Sequence, residues 1–272
     1  MENILAYGFM QRALLAGIFI AVACAILGVF LLLRRDAMLG HGMAHVTFGG
    51  VALGLFLDVK PLFVALIVAV LCSLVILKLK EKAGIYEDTA IGIFSSAAMA
   101  MGIILATISG KFNVDLFSYL FGNILAIETV EVGIAVGLAL AVSAIIMLFY
   151  QELLYQTFDT ESARTSGIKG GLLDGILALL TSVTVVIGMK VVGILLVAAL
   201  LVIPSAAGLQ IANNFKQAMV ISSSVSITSV VAGLLMAYYW DLPASGTIVI
   251  LSFLIFLLFG GARIIKRHPS TK

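Results

Sequence analysis

The sequence predicts an all-α, polytopic membrane protein that crosses the bilayer eight or nine times as a single domain over residues 1–272. Of the 272 residues, 62% are hydrophobic and only 11% are charged, whereas a soluble domain carries roughly 25% charged residues. Apolar runs of about the length that spans a bilayer recur along the whole chain. They lie at about 12–33, 41–57, 61–77, 89–108, 130–149, 172–187, 191–212, 217–238 and 244–262.

Short polar links separate the first segments. Asp58 reads as a turn residue between the second and third segments. The stretch 112–127 is also apolar, but it carries three polar side chains, so we expect a short or re-entrant segment there rather than a crossing. These polar residues are Asn113, Asp115 and Asn123.

The second half of the chain decides the number of crossings. We count the runs 172–187 and 191–212 as two crossings, which gives nine in total. Eight remains open if a break around Gly188-Met-Lys190 interrupts one long helix. Pro204 is followed by Ser, Ala, Ala and Gly, and this pattern predicts a broken helix inside the membrane. The aromatic run 238–240 fits a belt at the outer interface.

The positions of the cationic residues predict the orientation, because cytoplasmic loops are enriched in Lys and Arg. With the N-terminus outside and nine crossings, twelve of the sixteen cations lie on the inner side. These twelve are Arg34, Arg35, Lys78, Lys80, Lys82, Arg164, Lys169, Lys216, Arg263, Lys266, Arg267 and Lys272, and the outer four are Arg12, Lys60, Lys111 and Lys190. We therefore predict a multi-pass protein of the cell membrane with a cytoplasmic C-terminus.

His41 and His45 are the first candidate functional residues, at the head of the second apolar segment. On a helix their spacing puts both imidazoles on one face, one turn apart. Two neighbouring imidazoles can hold one transition-metal ion, although they supply only half of a tetrahedral site. The alternative from the residues alone is a pair of helix-end histidines bonded to the backbone or to each other. Polar side chains at the edge of a membrane helix are costly, which favours a functional reason.

Three acidic residues have more than one interpretation. Asp36 follows two arginines and is most simply their ion-pair partner. Asp115 lies on the outer side in the chosen orientation, where it either caps a helix or helps to receive a cation on the outer path. Asp174 begins a segment near the inner face, where it either caps that helix or touches a partner.

The longest hydrophilic stretch, residues 151–171, faces the cytoplasm in this orientation. Asp159 is placed to cap a short helix there. Gly167, Gly170 and Gly171 would end that helix. A short helix along the membrane face has the shape of a docking site for a cytoplasmic partner.

The chain lacks the sequence signatures of an ATPase or a hydrolase. It has no Gly-x-x-x-x-Gly-Lys-Ser/Thr phosphate loop, no Gly-x-Ser-x-Gly elbow and no His-Glu-x-x-His. If transport is active, its energy comes either from an ion gradient or from an ATPase on another chain.

Six stretches in order resemble the permease subunit of zinc, manganese and iron ABC importers, the metal-ion branch related to cobalamin and siderophore permeases. The resemblance covers nearly the whole chain, and its most recognisable block is the one that contains His41 and His45. The stretches are 14–17, 33–54, 114–122, 158–167, 189–208 and 241–246.

The resemblance implies a homodimer of this chain with two cytosolic ATPase subunits and an extracytoplasmic metal-binding protein. It implies a membrane environment and no nucleic acid. It also implies that residues of the first block contact the transported ion, and that Phe158, Asp159, Ala163 and Gly167 belong to the loop that docks the ATPase. The chain is then a transport subunit rather than an enzyme, and the metal is its cargo rather than a stable cofactor.

One departure from the family pattern bears on the choice of metal. Many members carry Gly-Asp-x-x-x-His in the first block, whereas this chain has Gly40-His-x-x-x-His45. His45 carries over directly, but position 41 offers a neutral nitrogen in place of an anionic oxygen. Nitrogen ligands suit zinc better and oxygen ligands suit manganese, so we expect zinc, with manganese or iron as alternatives.

Two other classes of protein compete with this reading. A gradient-driven secondary transporter would need intramembrane carboxylates for proton coupling, and the apolar segments almost lack them. An intramembrane metalloenzyme would need a general base close to the histidine pair, and the block around the pair contains no Glu.

Overall fold

The computed structural model describes residues 7–84, 86–110, 119, 122 and 127–267. Eleven α-helices form within these residues, and nine of them, all except α6 and α7, are long and apolar enough to cross a membrane. The predicted all-α polytopic fold is confirmed. The helices are α1 (Gly8–Leu33), α2 (Ala37–Phe56), α3 (Pro61–Ala83), α4 (Glu87–Ile108), α5 (Thr129–Leu148), α6 (Tyr150–Phe158), α7 (Thr160–Thr165), α8 (Gly170–Val192), α9 (Ile194–Ile211), α10 (Phe215–Tyr239) and α11 (Ala244–Arg267).

Three of the spanning helices form the core of the bundle. In α1, α2 and α8, 67% of the spanning residues are buried, against 22% in α3, 17% in α4 and 11% in α11. The helix α1 packs mainly against α5, α9 and α10, and α2 packs mainly against α3 and α4. The outer helices therefore present apolar faces that suit contact with lipid.

The boundary between α8 and α9 is a single residue, Gly193, with φ 90° and ψ 153°. Glycine adopts a positive φ without a steric penalty. The two helices pack against each other, since a Cβ added at Gly188 would lie 2.7 Å from a methyl carbon of Val197. The structure therefore has two separate helices here, each long enough to span, and the break lies at Gly193 rather than around residues 188–190.

Pro204 does not break its helix, so that prediction is wrong. The helix α9 continues through Pro204, which is fully buried against its neighbours. A proline removes one backbone donor, and packed helices and Ser side chains compensate for such losses in membranes. The next residue ties α9 to α1, because the Ser205 hydroxyl donates a hydrogen bond to the Ala25 carbonyl of α1 at 3.2 Å.

Small residues allow α2 and α3 to approach closely, because Gly50 and Gly54 are four residues apart and share one face of α2. A Cβ added at Gly50 would lie 2.6 Å from the Ala65 Cα, and one added at Gly54 would meet the start of α3 at 2.7 Å. The same spacing at Gly133 and Gly137 has no such consequence within the described residues, because nothing lies within 4 Å of an added Cβ. The same four-residue spacing therefore marks a helix contact at Gly50 and Gly54 but not at Gly133 and Gly137.

We expect Gly28→Ala to destabilise the bundle. The added Cβ would lie 1.9 Å from the Leu201 carbonyl oxygen and 2.3 Å from the Ser205 hydroxyl, so α1 and α9 must move apart. Overpacking of this kind costs about 1–3 kcal/mol, which lowers the melting temperature by several degrees. Thermal unfolding in detergent measures the effect, and Gly137→Ala, which enters open space, is the control expected to melt like the wild type.

Candidate functional site

The helix α2 brings His41 and His45 together, as the sequence predicts. Their Nε2 atoms are 3.3 Å apart, and their rings meet edge to face with centroids 4.8 Å apart. His41 is exposed and His45 is half-buried, although 67% of the spanning residues of α2 are buried. The pair therefore lies on a face of the helix that the described residues of this chain leave open.

Two glycines fix the direction in which this face points. A Cβ at Gly40 would lie 2.7 Å from a methyl carbon of Leu201 in α9, and one at Gly42 would lie 2.2 Å from a methyl carbon of Ile91 in α4. The absence of side chains at positions 40 and 42 lets α2 settle between α4 and α9. This close packing holds the backbone that carries the histidines.

The separation of the two imidazoles fits a shared metal ion. Two Zn–N bonds of about 2.0–2.1 Å that meet at a tetrahedral angle place the nitrogens about 3.4 Å apart, and the observed separation is 3.3 Å. Without a metal, the contact requires one Nε2 to carry the proton and the other to accept it. Among the described residues, no group of three or more His, Cys, Asp or Glu side chains is placed to hold a metal ion. Further ligands for the pair would therefore come from outside the described part of this chain.

Sequence reasoning missed an ion pair at the opposite end of the bundle. The Lys190 ammonium lies 2.7 Å from the Glu131 carboxylate, which joins the end of α8 to the start of α5. Glu131 also accepts a hydrogen bond from the backbone of Glu128 in a capping box that starts α5. Asp115, the candidate residue of the outer cation path, lies outside the described residues.

The ion pairs at the end of the bundle that holds Arg34 differ from the prediction. The Arg34 guanidinium lies 2.6 Å from the Asp174 carboxylate, so Asp174, rather than Asp36, is the ion-pair partner of Arg34. Asp174 lies in the second turn of α8, past the positions where a side chain caps a helix. A second pair, Lys80 with Glu87, joins α3 to α4 beside the same cluster. The sequence cannot reveal these partners, because Arg34 and Asp174 are distant in the chain.

Asp36 is consequently an unpaired carboxyl group beside two ion pairs, within the described residues. Burial, and after it the Glu87 carboxylate, raises the pKa of Asp36 to about 6, against the opposing effect of Lys80 and Arg34. The folded chain then holds this proton more tightly than the unfolded chain does. Its contribution to stability is therefore present below pH of about 4 and lost as the pH rises through about 6.

We expect Asp36→Asn to raise the melting temperature of the detergent-solubilised chain at pH 7.5. Asparagine has nearly the same shape but cannot ionise, so it removes the cost of a half-buried charge; solvent screening limits the gain to about 2–4 °C. At pH 4.5 the folded wild type is largely protonated at Asp36 but the unfolded chain still ionises, so the difference should shrink to about a third. A difference of equal size at both pH values would contradict this account.

The predicted docking segment folds as two short helices, α6 and α7. The Asp159 carboxylate accepts a hydrogen bond from the Ser162 backbone at 2.9 Å, so Asp159 caps α7 as predicted. Hydrogen bonding from the Ser162 side chain, and after it from the Ser162 backbone, lowers the pKa of Asp159. Ala163 is buried and Phe158 is 65% exposed. Gly167, with φ 82°, follows the end of α7, whereas the other two glycines of the prediction begin α8 instead.

These observations define a class of protein: a helical membrane protein with a polar pair on an open face of a core helix and a short, capped helix at one end. The chain belongs to the ABC 3 transport family, whose model matches residues 6–260. The resemblance inferred from the six sequence stretches is thus confirmed.

Two curated relatives illustrate the range of metals in their names. The chain is 32% identical over 257 residues to the manganese transport system membrane protein MntC of Halalkalibacterium halodurans, covering 94% of this chain and 88% of the relative. It is also 32% identical over 247 residues to the high-affinity zinc uptake system membrane protein ZnuB of Haemophilus influenzae, covering 90% of this chain and 94% of the relative.

Solved structures share the fold. PsaBC from Streptococcus pneumoniae in complex with Fab matches with a TM-score of 0.84 and 32% identity, over 94% of this chain and 92% of that chain. An inward-facing metal-chelate type ABC transporter matches with a TM-score of 0.73 over 94% of this chain and 85% of that chain, at 18% identity. The second match concerns the fold alone.

Proposed function

We infer that this chain is the membrane-spanning subunit of an ATP-driven importer of divalent transition-metal ions, and that zinc is its main cargo. The observation that carries this proposal is the His41–His45 pair, open on a face of a core helix in a member of the ABC 3 transport family. The separation of 3.3 Å between the two Nε2 atoms suits two ligands of one ion.

A second copy of the chain would complete the site. Each chain offers two imidazoles, and structural zinc sites have four ligands. An isologous dimer brings the same surface of both copies to a two-fold axis, so two pairs facing each other would supply four nitrogens. Neutral imidazoles without a fixed carboxylate also bind loosely enough to release the ion, which transport requires.

The energy would come from separate cytosolic ATPase subunits. The sequence has no phosphate loop, and the segment formed by α6 and α7 offers a docking surface. In this role the exposed Phe158 ring contacts the ATPase, and Asp159, Ala163 and Gly167 hold the shape of the segment. A metal-binding protein would deliver the ion to the outer mouth.

The proposed orientation has the N-terminus outside and the C-terminus in the cytoplasm of a cell bounded by this membrane. Support comes from the grouping of the charges. Arg34 and Lys80, which the sequence assigns to the inner side, line one cavity together with residues of α6. Lys60 and Lys190, which it assigns to the outer side, line another. In this orientation the histidine pair lies near the inner end of α2.

Zinc is proposed on the chemistry of position 41. An imidazole nitrogen in place of a carboxylate favours zinc over manganese. The relatives include proteins named for manganese as well as one named for zinc. Ligand chemistry, rather than sequence similarity, therefore supports zinc as the cargo.

The test is metal uptake by the reconstituted complex of this chain with its ATPase in proteoliposomes. We expect uptake of zinc that requires ATP on the cytoplasmic side, with manganese competing weakly. Uptake that instead follows an imposed proton gradient without ATP would show a secondary transporter. Such a transporter needs buried acids, and the buried residues of the described ranges include none.

A further inference from the structure

A continuous line of polar contacts joins the proposed docking segment to the helix that carries the histidines. Gln156 of α6 donates a hydrogen bond from Nε2 to the Asp174 carboxylate of α8 at 3.0 Å. The same carboxylate oxygen, Asp174 Oδ1, also accepts from the guanidinium of Arg34, the C-cap residue of α1, at 2.6 Å. Arg34 is followed after two residues by α2. Three side chains thus connect α6, α8 and α1, and the backbone after Arg34 continues this connection into α2.

These contacts are buried, so breaking them is costly. Gln156 is 4% exposed and the Arg34 side chain is 9% exposed. A buried polar group that loses its partner pays the full cost of desolvation, so the three side chains favour moving together over separating. The Gln156 amide donates a second hydrogen bond to the Gly170 carbonyl at 3.1 Å, which fastens α6 to the first turn of α8.

The corner between α1 and α2 is suited to pass on a displacement. Arg35 has a positive φ of 64°, and the Asp36 backbone donates a hydrogen bond to the Leu31 carbonyl at 2.8 Å. These features close the corner tightly onto the end of α1. His41 follows Asp36 by five residues, or about 7.5 Å along a helix. A shift of Arg34 therefore reaches the start of the helix that carries the histidine pair.

We propose that Gln156 and Asp174 are positioning residues that couple movement of the α6–α7 segment to the placement of the α2 histidine pair. This inference rests on the proposed function, since the movement originates in the ATPase subunits. When the ATPase moves α6, Gln156 displaces Asp174 through their hydrogen bond. Asp174 in turn displaces Arg34, which lies just before the start of α2. Neither residue touches the metal.

Two substitutions disrupt the hydrogen bonds of the Gln156 amide without removing a charge. Gln156→Met keeps the length of the side chain and leaves the Arg34–Asp174 ion pair intact. Gly170→Ala places a Cβ 2.9 Å from the Gln156 Nε2, which displaces the amide. Gly175→Ala, also in α8, enters space with nothing within 4 Å, so it is the matched control. Asp174→Asn cuts the line at its second link by weakening the hold on Arg34.

The experiment measures metal ions imported per ATP hydrolysed by the reconstituted complex. We expect Gln156→Met, Gly170→Ala and Asp174→Asn to lower this ratio at least about fivefold, while complex assembly and the rate of ATP hydrolysis stay within about twofold of the wild type. Gly175→Ala should keep the wild-type ratio. This split distinguishes coupling from a structural role, in which assembly, hydrolysis and uptake fall together.

Two results would overturn the inference. One is an unchanged ratio in both Gln156→Met and Asp174→Asn. The other is a complex that fails to assemble or to hydrolyse ATP in both variants, which would assign these residues to stability alone. A wild-type complex without ATP-driven metal uptake would refute the proposed function itself, and that outcome is recognised before any variant is measured.

Discussion

Replacing both His41 and His45 by alanine is expected to lower ATP-driven metal uptake at least about 100-fold. The pair faces outward from α2, so the change removes the two proposed ligands without opening a cavity in the core. Loss of residues that merely support metal ligands already costs about 10–100-fold, and loss of the ligands themselves should exceed that. The measurement is initial uptake of radiolabelled zinc by proteoliposomes that contain the complex.

Assembly and hydrolysis serve as internal controls for the double variant. The complex should elute as a single species together with its ATPase subunits and should retain basal ATP hydrolysis. Leu57→Ala, an exposed position directly after the C-terminal end of α2, is the matched substitution and should transport normally. Wild-type uptake in the double variant would exclude the pair from the path.

The two single variants should differ in severity. His45 is the residue that matches the family pattern, and it is the more buried of the two. His41 is exposed, and a water molecule can take the place of its nitrogen in the coordination shell more readily. We therefore expect His45→Ala to lose most of the uptake and His41→Ala to retain a larger part.

The fold was predictable because bilayer physics acts on short windows of sequence. Each crossing needs its own apolar run, and all nine predicted runs correspond to helices. The errors concern places where several structures satisfy the same local pattern. The apolar run around Gly193 contains the break between α8 and α9, yet hydropathy does not change there. Pro204 has a pattern typical of broken helices, and only its packing shows that α9 continues.

The contacts of the candidate site also divide into those between residues close in the chain, which the sequence predicted, and those between distant residues, which it did not. The His41–His45 pair and the Asp159 cap depend on spacings of four and three residues, so helix geometry predicted both contacts. The pairs Arg34–Asp174 and Lys190–Glu131 join residues far apart in the chain. A single sequence does not show which distant charges form ion pairs. For this reason the predicted ion pair of Asp36 with the preceding arginines is wrong.

Exchange of one ligand atom should change the preferred metal. In His41→Asp, the first block acquires the Gly-Asp-x-x-x-His pattern of the family, with an anionic oxygen beside the His45 nitrogen. Oxygen ligands suit manganese better than nitrogen ligands do. We expect the amount of manganese needed to halve zinc uptake to fall by about tenfold, measured by competition in the reconstituted complex.

The control for this exchange is His41→Asn, which has nearly the size and shape of aspartate but no charge. If the anionic oxygen decides the preference, the asparagine variant should retain zinc uptake similar to that of His41→Ala and show no gain for manganese. Identical competition curves for the wild type, His41→Asp and His41→Asn would show that position 41 does not contact the ion. In that case the metal would be selected before it reaches α2, and a histidine or an aspartate at position 41 would serve equally well. A shift confined to His41→Asp instead places the choice of metal at the open face of α2, one helical turn from His45.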